Sequence, residues 1–224
     1  MSYTEPALSQ LAAIFRSYPQ DRADTSLAAL LSVTGGSADL ANASQRLEFR
    51  RWLNKWVCRL RYPQRGEPDP FSDSLALWWE ATGSGLPDSP VAELNDKEVA
   101  VLAASYADLA SRPGALLTRN GVPAGYRTIG PTAASKIMFV LRPHTVPPWD
   151  AAIARRTAGG TSLDHFRRHL EAACVWATAI LDEARRDGIP DIPGHVGRPG
   201  SSLAKLRDEW MYLTITRGCA VPPR

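Results

Sequence analysis

Apolar residues recur at helical spacing along nearly the whole of this 224-residue chain, and no strand-like alternation persists between the helical stretches. The candidate helices fall near 6–17, 22–32, 38–61, 71–82, 95–111, 131–142, 151–158, 162–187 and 201–217. Glycine and proline punctuate them, at Gly35-Gly36, across 63–70 and 83–90, at Arg112-Pro113-Gly114 and across 187–200. Helices that each carry one apolar stripe must bury it against a neighbour. The pattern therefore predicts an all-α fold, one domain of two helical lobes with a groove between them.

With 44% apolar residues, a chain of this length can bury a sizeable core without disulfides or metals. Cys58, Cys174 and Cys219 are scattered, odd in number and without a CxxC pair, which points to reduced thiols in a cytoplasmic protein. The first ten residues lack a basic start followed by an apolar run, and nowhere do eighteen uncharged apolar residues occur together. Neither export nor a membrane span is expected.

The net charge of +3 is small, but its distribution is uneven. Residues 44–66 hold seven Arg or Lys and one Glu, 67–110 hold nine acids and one Lys, and 111–169 hold nine bases and two acids. Two basic segments thus bracket an acidic one. Brought together by the fold, they would make a positive groove whose ligand binding weakens with salt; as solvated helix faces they would carry no function.

The chemistry concentrates between Gly130 and Arg155. Gly130 and Pro131 open a short apolar helix that Pro143 stops, and a Gly-Pro start leaves the first backbone N–H groups unpaired and able to meet a phosphate oxygen. Pro147 and Pro148 then hold an extended approach to Trp149 and Asp150, after which Ala151 to Arg156 begin another helix with Asp150 at its N-cap. A carboxylate there is favoured in its charged form by the helix dipole. Asp before an alanine-rich helix is also an ordinary cap, worth about 1 kcal/mol of stability.

Gly130 to Lys136 resembles the second half of a helix-hairpin-helix, and the segment Trp149 to Arg155 resembles the catalytic signature of the DNA glycosylases built on that hairpin, in which an aspartate is followed five residues on by an arginine. Asp150 and Arg155 match those two places, twenty residues beyond the glycine turn. The resemblance covers about thirty residues of the 224. It implies an all-α, two-lobed fold with a central DNA-binding groove, with Asp150 catalytic and with Arg127, Gly130, Thr132, Lys136 and Arg155 near the DNA backbone.

The sequence departs from the family in the hairpin. The usual Leu-Pro-Gly-x-Gly is met by Tyr126, Arg127, Thr128, Ile129 and Gly130, so only the last glycine remains. Members that also cleave the strand carry a lysine nucleophile two residues after that glycine, where this chain has Thr132, a hydroxyl that cannot form a Schiff base. A monofunctional enzyme follows, with Lys136 the amine that a shifted register would present. Some relatives hold an iron–sulfur cluster on four cysteines; three cysteines cannot supply it, and no cofactor or metal is expected.

Seven tryptophans are many for this length. Trp149, which adjoins Asp150, and Trp52 and Trp56 on the basic helix are candidate walls for an extruded base, although Trp52 and Trp56 also fit an apolar stripe with Phe49, Leu53, Val57 and Leu60. His165 and His169 share a helix face but lack the Glu of an HExxH site. The glycine-rich stretch 194–202 lacks P-loop spacing and is a loop ending in a Ser201 or Ser202 cap. The expectation is a monomeric, monofunctional glycosylase acting on double-stranded DNA with a modified or damaged base, in base-excision repair or in defence against phage DNA carrying glucosylated hydroxymethylcytosine. The alternatives are a non-catalytic helical DNA-binding protein that uses the hairpin only, and a helical protein-interaction module.

Overall fold

The computed structural model describes residues 3–18, 22–36, 38–119, 122–221 and 223. Among the described residues ten α-helices run in chain order: α1 (Leu8–Ser17), α2 (Arg22–Val33), α3 (Ala43–Lys55), α4 (Pro70–Ala81), α5 (Asp96–Ser111), α6 (Pro131–Leu141), α7 (Ala151–Thr157), α8 (Leu163–Arg186), α9 (Ile192–His195) and α10 (Leu203–Met211). Single 3-10 turns lie at Gly83–Gly85 and Val91–Glu93, and a π turn, Tyr212–Thr216, extends α10.

Local chemistry sets most helix starts. Asn42, Asp69, Asn95 and Ser202 cap α3, α4, α5 and α10 through side-chain oxygens that accept backbone N–H groups of the first turn. Pro70 and Pro131 occupy first positions, where no N–H is needed. In α8 the residues Phe166, His169, Leu170, Ala173, Ala177 and Ile180 bury one stripe at helical spacing against α5.

Two departures from the helical expectation bear on function. The stripe through 38–61 suggests one long helix, but α3 begins only at Ala43 and ends at Lys55. Beyond it Val57 and Arg59 adopt left-handed backbone, φ 61° and 53°, which breaks the helical hydrogen-bond ladder. Asn54 clamps this loop, its amide donating to the Leu60 carbonyl at 2.8 Å and its oxygen accepting from the Leu60 N–H at 2.7 Å.

The second departure is an antiparallel ribbon, β1 (Pro113–Arg119) and β2 (Val122–Thr128), so the chain is mostly helical rather than purely so. Arg127 and Thr128 are strand residues, and only Ile129 and Gly130 form the turn into α6. At the ribbon's root the Ile129 N–H donates to Arg112 O at 2.8 Å and the Gly130 N–H to Ala110 O at 3.0 Å. Gly114 lies so close to the other strand there that a Cβ would meet the Ile129 nitrogen at 2.8 Å. Ala115 and Leu116 are buried where β1 meets α4, whereas every residue of β2 is exposed.

The core is continuous from α1 through α10, and α10 lies within it: every residue from Ala204 to Met211 is buried, four of them charged. Burial of that kind requires partners. Arg207 bonds Glu5, Arg198 bonds Glu209, and Lys205 bonds Asp208. None of the helices among the described residues is long and apolar enough to cross a membrane.

Candidate active site

Asp150 is fixed from three directions. As N-cap of α7 its Oδ1 accepts from the N–H groups of Ala152 at 2.7 Å and Ile153 at 2.8 Å. Its Oδ2 accepts from the hydroxyl of Thr216 at 2.9 Å, delivered by the π turn that follows α10. A widened helical turn beside a candidate reactive group is a common placement for such turns.

The segment leading to Asp150 is pinned to the core. Ser135 of α6 accepts from the Trp149 N–H at 3.3 Å, and its Oγ lies 3.0 Å from the Trp149 carbonyl and 3.1 Å from that of Thr132. His169 Nε2 lies 3.3 Å from Pro147 O, while Arg207 donates to His169 Nδ1 at 3.2 Å. Burial, with Arg207 adding to it, holds the His169 pKa well below its ordinary value. The neutral ring therefore donates from Nε2 to the proline carbonyl and accepts at Nδ1. His165 instead meets Ser162 Oγ at 2.6 Å, so each histidine has a local structural role.

Around Asp150 stands a cluster of charges that the fold draws from distant parts of the chain. Lys136 of α6 is 8% exposed, and its Nζ lies 4.4 Å from the centre of the Trp56 ring and 3.4 Å from the Trp56 carbonyl. Lys205, 9% exposed, places its Nζ 5.6 Å from the same ring and 3.1 Å from Asp208 Oδ2. Burial lowers the Lys136 pKa, opposed by Cys58, Asp208 and Asp150 and reinforced by Lys205. Burial likewise raises the Asp208 pKa, with Lys205 and Lys136 pulling it back and Asp150 pushing it further up. Asp150, Lys136, Lys205 and Asp208 thus sit within mutual electrostatic reach, two of each sign, with Trp56 against both ammonium groups.

The sequence-derived site residues divide clearly. Asp150, Lys136 and Trp56 come together. Gly130 caps α6 at φ 82°, which suits glycine alone, and Thr132 lies in the first turn beyond it. Arg127 is exposed on β2, close enough to Cys58 to depress its thiol pKa against the stronger upward effect of burial. Arg155 is exposed in the last turn of α7. Trp149 is 1% exposed and packed against Tyr106, Phe166 and His169, with ring centres 5.9, 5.1 and 4.8 Å away. Trp52 is also buried, 5.6 Å from Trp56. Neither Trp149 nor Trp52 offers an open face here. Both indoles give up their surface to packing, Trp149 next to Asp150 in the chain and Trp52 against Trp56.

Lys205, Asp208 and Thr216 are the site residues that sequence reasoning missed. A Lys-x-x-Asp spacing inside an amphipathic helix is indistinguishable from a solvated ion pair, and no local pattern announces that α10 is central. An open depression of about 590 Å³ beside Glu5, Trp176 and Glu183 shares no residue with the cluster. Comparison with known proteins returns no matching family, no similar curated protein and no similar solved structure.

Proposed function

We propose that the protein is a monofunctional DNA glycosylase that extrudes a modified or damaged base and hydrolyses its N-glycosidic bond at Asp150. The observation that carries this is the state of the Asp150 carboxylate: Oδ1 is tied to the α7 backbone, while Oδ2 meets an exposed threonine hydroxyl that a substrate or water can displace. Glycosidic cleavage passes through an oxocarbenium-like sugar, and a preorganised carboxylate stabilises that cation. The departing base leaves with the bonding electrons, a water oriented by Asp150 supplies the new oxygen at the sugar carbon, and the proton this water gives up passes by way of Asp150 to the departing base.

The other parts support the same reading. α5 and α6 pack together and join through the ribbon root at Gly130, in keeping with a helix-hairpin-helix whose hairpin is enlarged. The α6 cap has no side-chain hydrogen bond, leaving early N–H groups for a phosphate oxygen. Lys136 and Lys205 offset the carboxylates beside a half-buried Trp56 that can receive a base. A groove between two lobes, double-stranded DNA as partner, a monomer in the cytoplasm and a role in repair or phage defence complete the proposal.

The lowered pKa of Lys136 favours a second reading, in which this amine attacks the sugar and adds strand cleavage to base release. Borohydride trapping on cleaved substrate separates the two: a covalent adduct lost in Lys136→Met supports the lyase, and its absence supports hydrolysis. The proposal as a whole is tested by abasic-site formation on unmodified, uracil-containing, alkylated, oxidised and glucosyl-hydroxymethylcytosine duplexes. Signal on one class supports it. Intact DNA throughout, with salt-sensitive binding, favours the non-catalytic DNA-binding protein.

A further inference from the structure

Among the described residues no side chain of the β1–β2 ribbon hydrogen-bonds Asp150, and the outer part of the ribbon is exposed. All seven residues of β2 are exposed, as are Leu117, Thr118 and Arg119 on β1. Apolar Leu117, Val122 and Tyr126 alternate there with the cations Arg119 and Arg127, neither of which makes an ion pair among the described residues. A two-stranded ribbon presenting large apolar groups to water is marginal alone and gains by covering them.

Charge selects the partner. From Leu109 to Trp149 the chain has no Asp or Glu, yet it holds Arg112, Arg119, Arg127, Lys136 and Arg142. Among the described residues Arg112 and Arg142 form salt bridges, with Asp108 and Asp88, and Lys136 is attracted by Asp150 and Asp208, whereas Arg119 and Arg127 form no ion pair. The ribbon is therefore complementary to a polyanion. Its edges suit strand addition poorly, because Pro113 and Pro123 lack N–H donors and register shifts interrupt the pairing. A two-stranded ribbon does fit the major groove of B-DNA.

Position gives the rest. The ribbon's root is bonded to the turn that starts α6, the helix carrying Lys136, and Arg127 and Lys136 both act on the Cys58 thiol. We infer that the β1–β2 ribbon is a second DNA-contacting arm, lying in the groove of the duplex that flanks the nucleotide at Asp150 and neutralising its phosphates through Arg119 and Arg127. The arm rests on the glycosylase reading for the identity of its partner and extends it to a surface outside the catalytic centre.

The test is the salt dependence of binding to an unmodified duplex oligonucleotide, measured for wild type, Arg119→Ser/Arg127→Ser and Arg119→Lys/Arg127→Lys. Each phosphate contact contributes a slope of about 0.9 in the logarithmic plot, so the serine variant should lose roughly 2 from the wild-type slope while the lysine variant keeps it. Thermal melting should be unchanged in both variants, since the two side chains are exposed. Salt-dependent wild-type binding with an unchanged serine-variant slope overturns the arm and leaves the glycosylase reading standing. Absence of any wild-type binding to duplex removes both.

Discussion

The Lys205–Asp208 pair gives a prediction whose size follows from burial. Lys205→Met keeps a long apolar side chain but removes the ammonium 3.1 Å from an Asp208 that is 7% exposed. Removing one partner of a buried pair leaves an uncompensated charge and costs about 3–5 kcal/mol. Lys136 also attracts Asp208, so the lower end applies. At about 2–4 °C per kcal/mol for a chain of this size, melting should fall by roughly 6–12 °C at pH 7. Linkage fixes the pH dependence. The folded pKa of Asp208 is raised above its ordinary value near 3.8, so its favourable contribution is full below that value and is lost as pH rises through the folded pKa. Without Lys205 that pKa rises further, and the deficit relative to wild type should shrink as pH falls from 7 toward 4. Lys205→Met/Asp208→Leu should recover most of the loss. Thermal melting and urea denaturation followed by far-UV circular dichroism, with the double-mutant cycle, measure all three quantities. A deficit under about 1 kcal/mol at pH 7, or one independent of pH, would refute the description of this pair as buried and coupled.

Three further outcomes test other parts of the account. Asp150→Ala loses both N–H contacts of the α7 cap and should cost about 1 kcal/mol in denaturant titration, whereas Asp150→Asn retains an accepting oxygen and should stay within a few tenths. Lys136→Met should be more stable than wild type near pH 7: the folded pKa of Lys136 is depressed, so the wild-type contribution is full above about 10.5 and is lost as pH falls. That advantage should vanish as pH approaches 10.5 in a melting series. Gly130→Ala forces a Cβ onto backbone at φ 82° and should cost about 1–2 kcal/mol by chemical denaturation, with a matching loss of duplex affinity if the α6 start meets phosphate.

How much was legible in the sequence depends on whether the information was local. Helix positions were, because caps such as Asp69 and Asn95, the Pro70 and Pro131 starts and the stripe of α8 are written in neighbouring residues. The ribbon was not seen, since β2 is wholly exposed and so lacks the alternation that burial of one face imposes. In the sequence, Asn-Gly follows Arg119 and precedes Val122, a dipeptide type common in two-residue hairpin connections. The early end of α3 was hidden because Leu60 continues the apolar spacing after the backbone has left the helix. At the site, Asp150 and Lys136 could be nominated from position relative to Gly130. Lys205, Asp208 and Thr216 could not, since whether a charged residue of an amphipathic helix faces solvent or another charge is decided by tertiary packing.

As proposed, the Asp150 carboxylate performs chemistry beyond capping α7. The direct measurement is the single-turnover rate of base release, by wild type and Asp150→Asn, from the duplex that yields abasic sites. The variant should melt and bind duplex as the native protein does, with a rate lower by about 100-fold or more, the scale of losing a preorganised electrostatic group. A variant that binds, folds and releases base at the wild-type rate would contradict it and leave Asp150 as a helix cap alone.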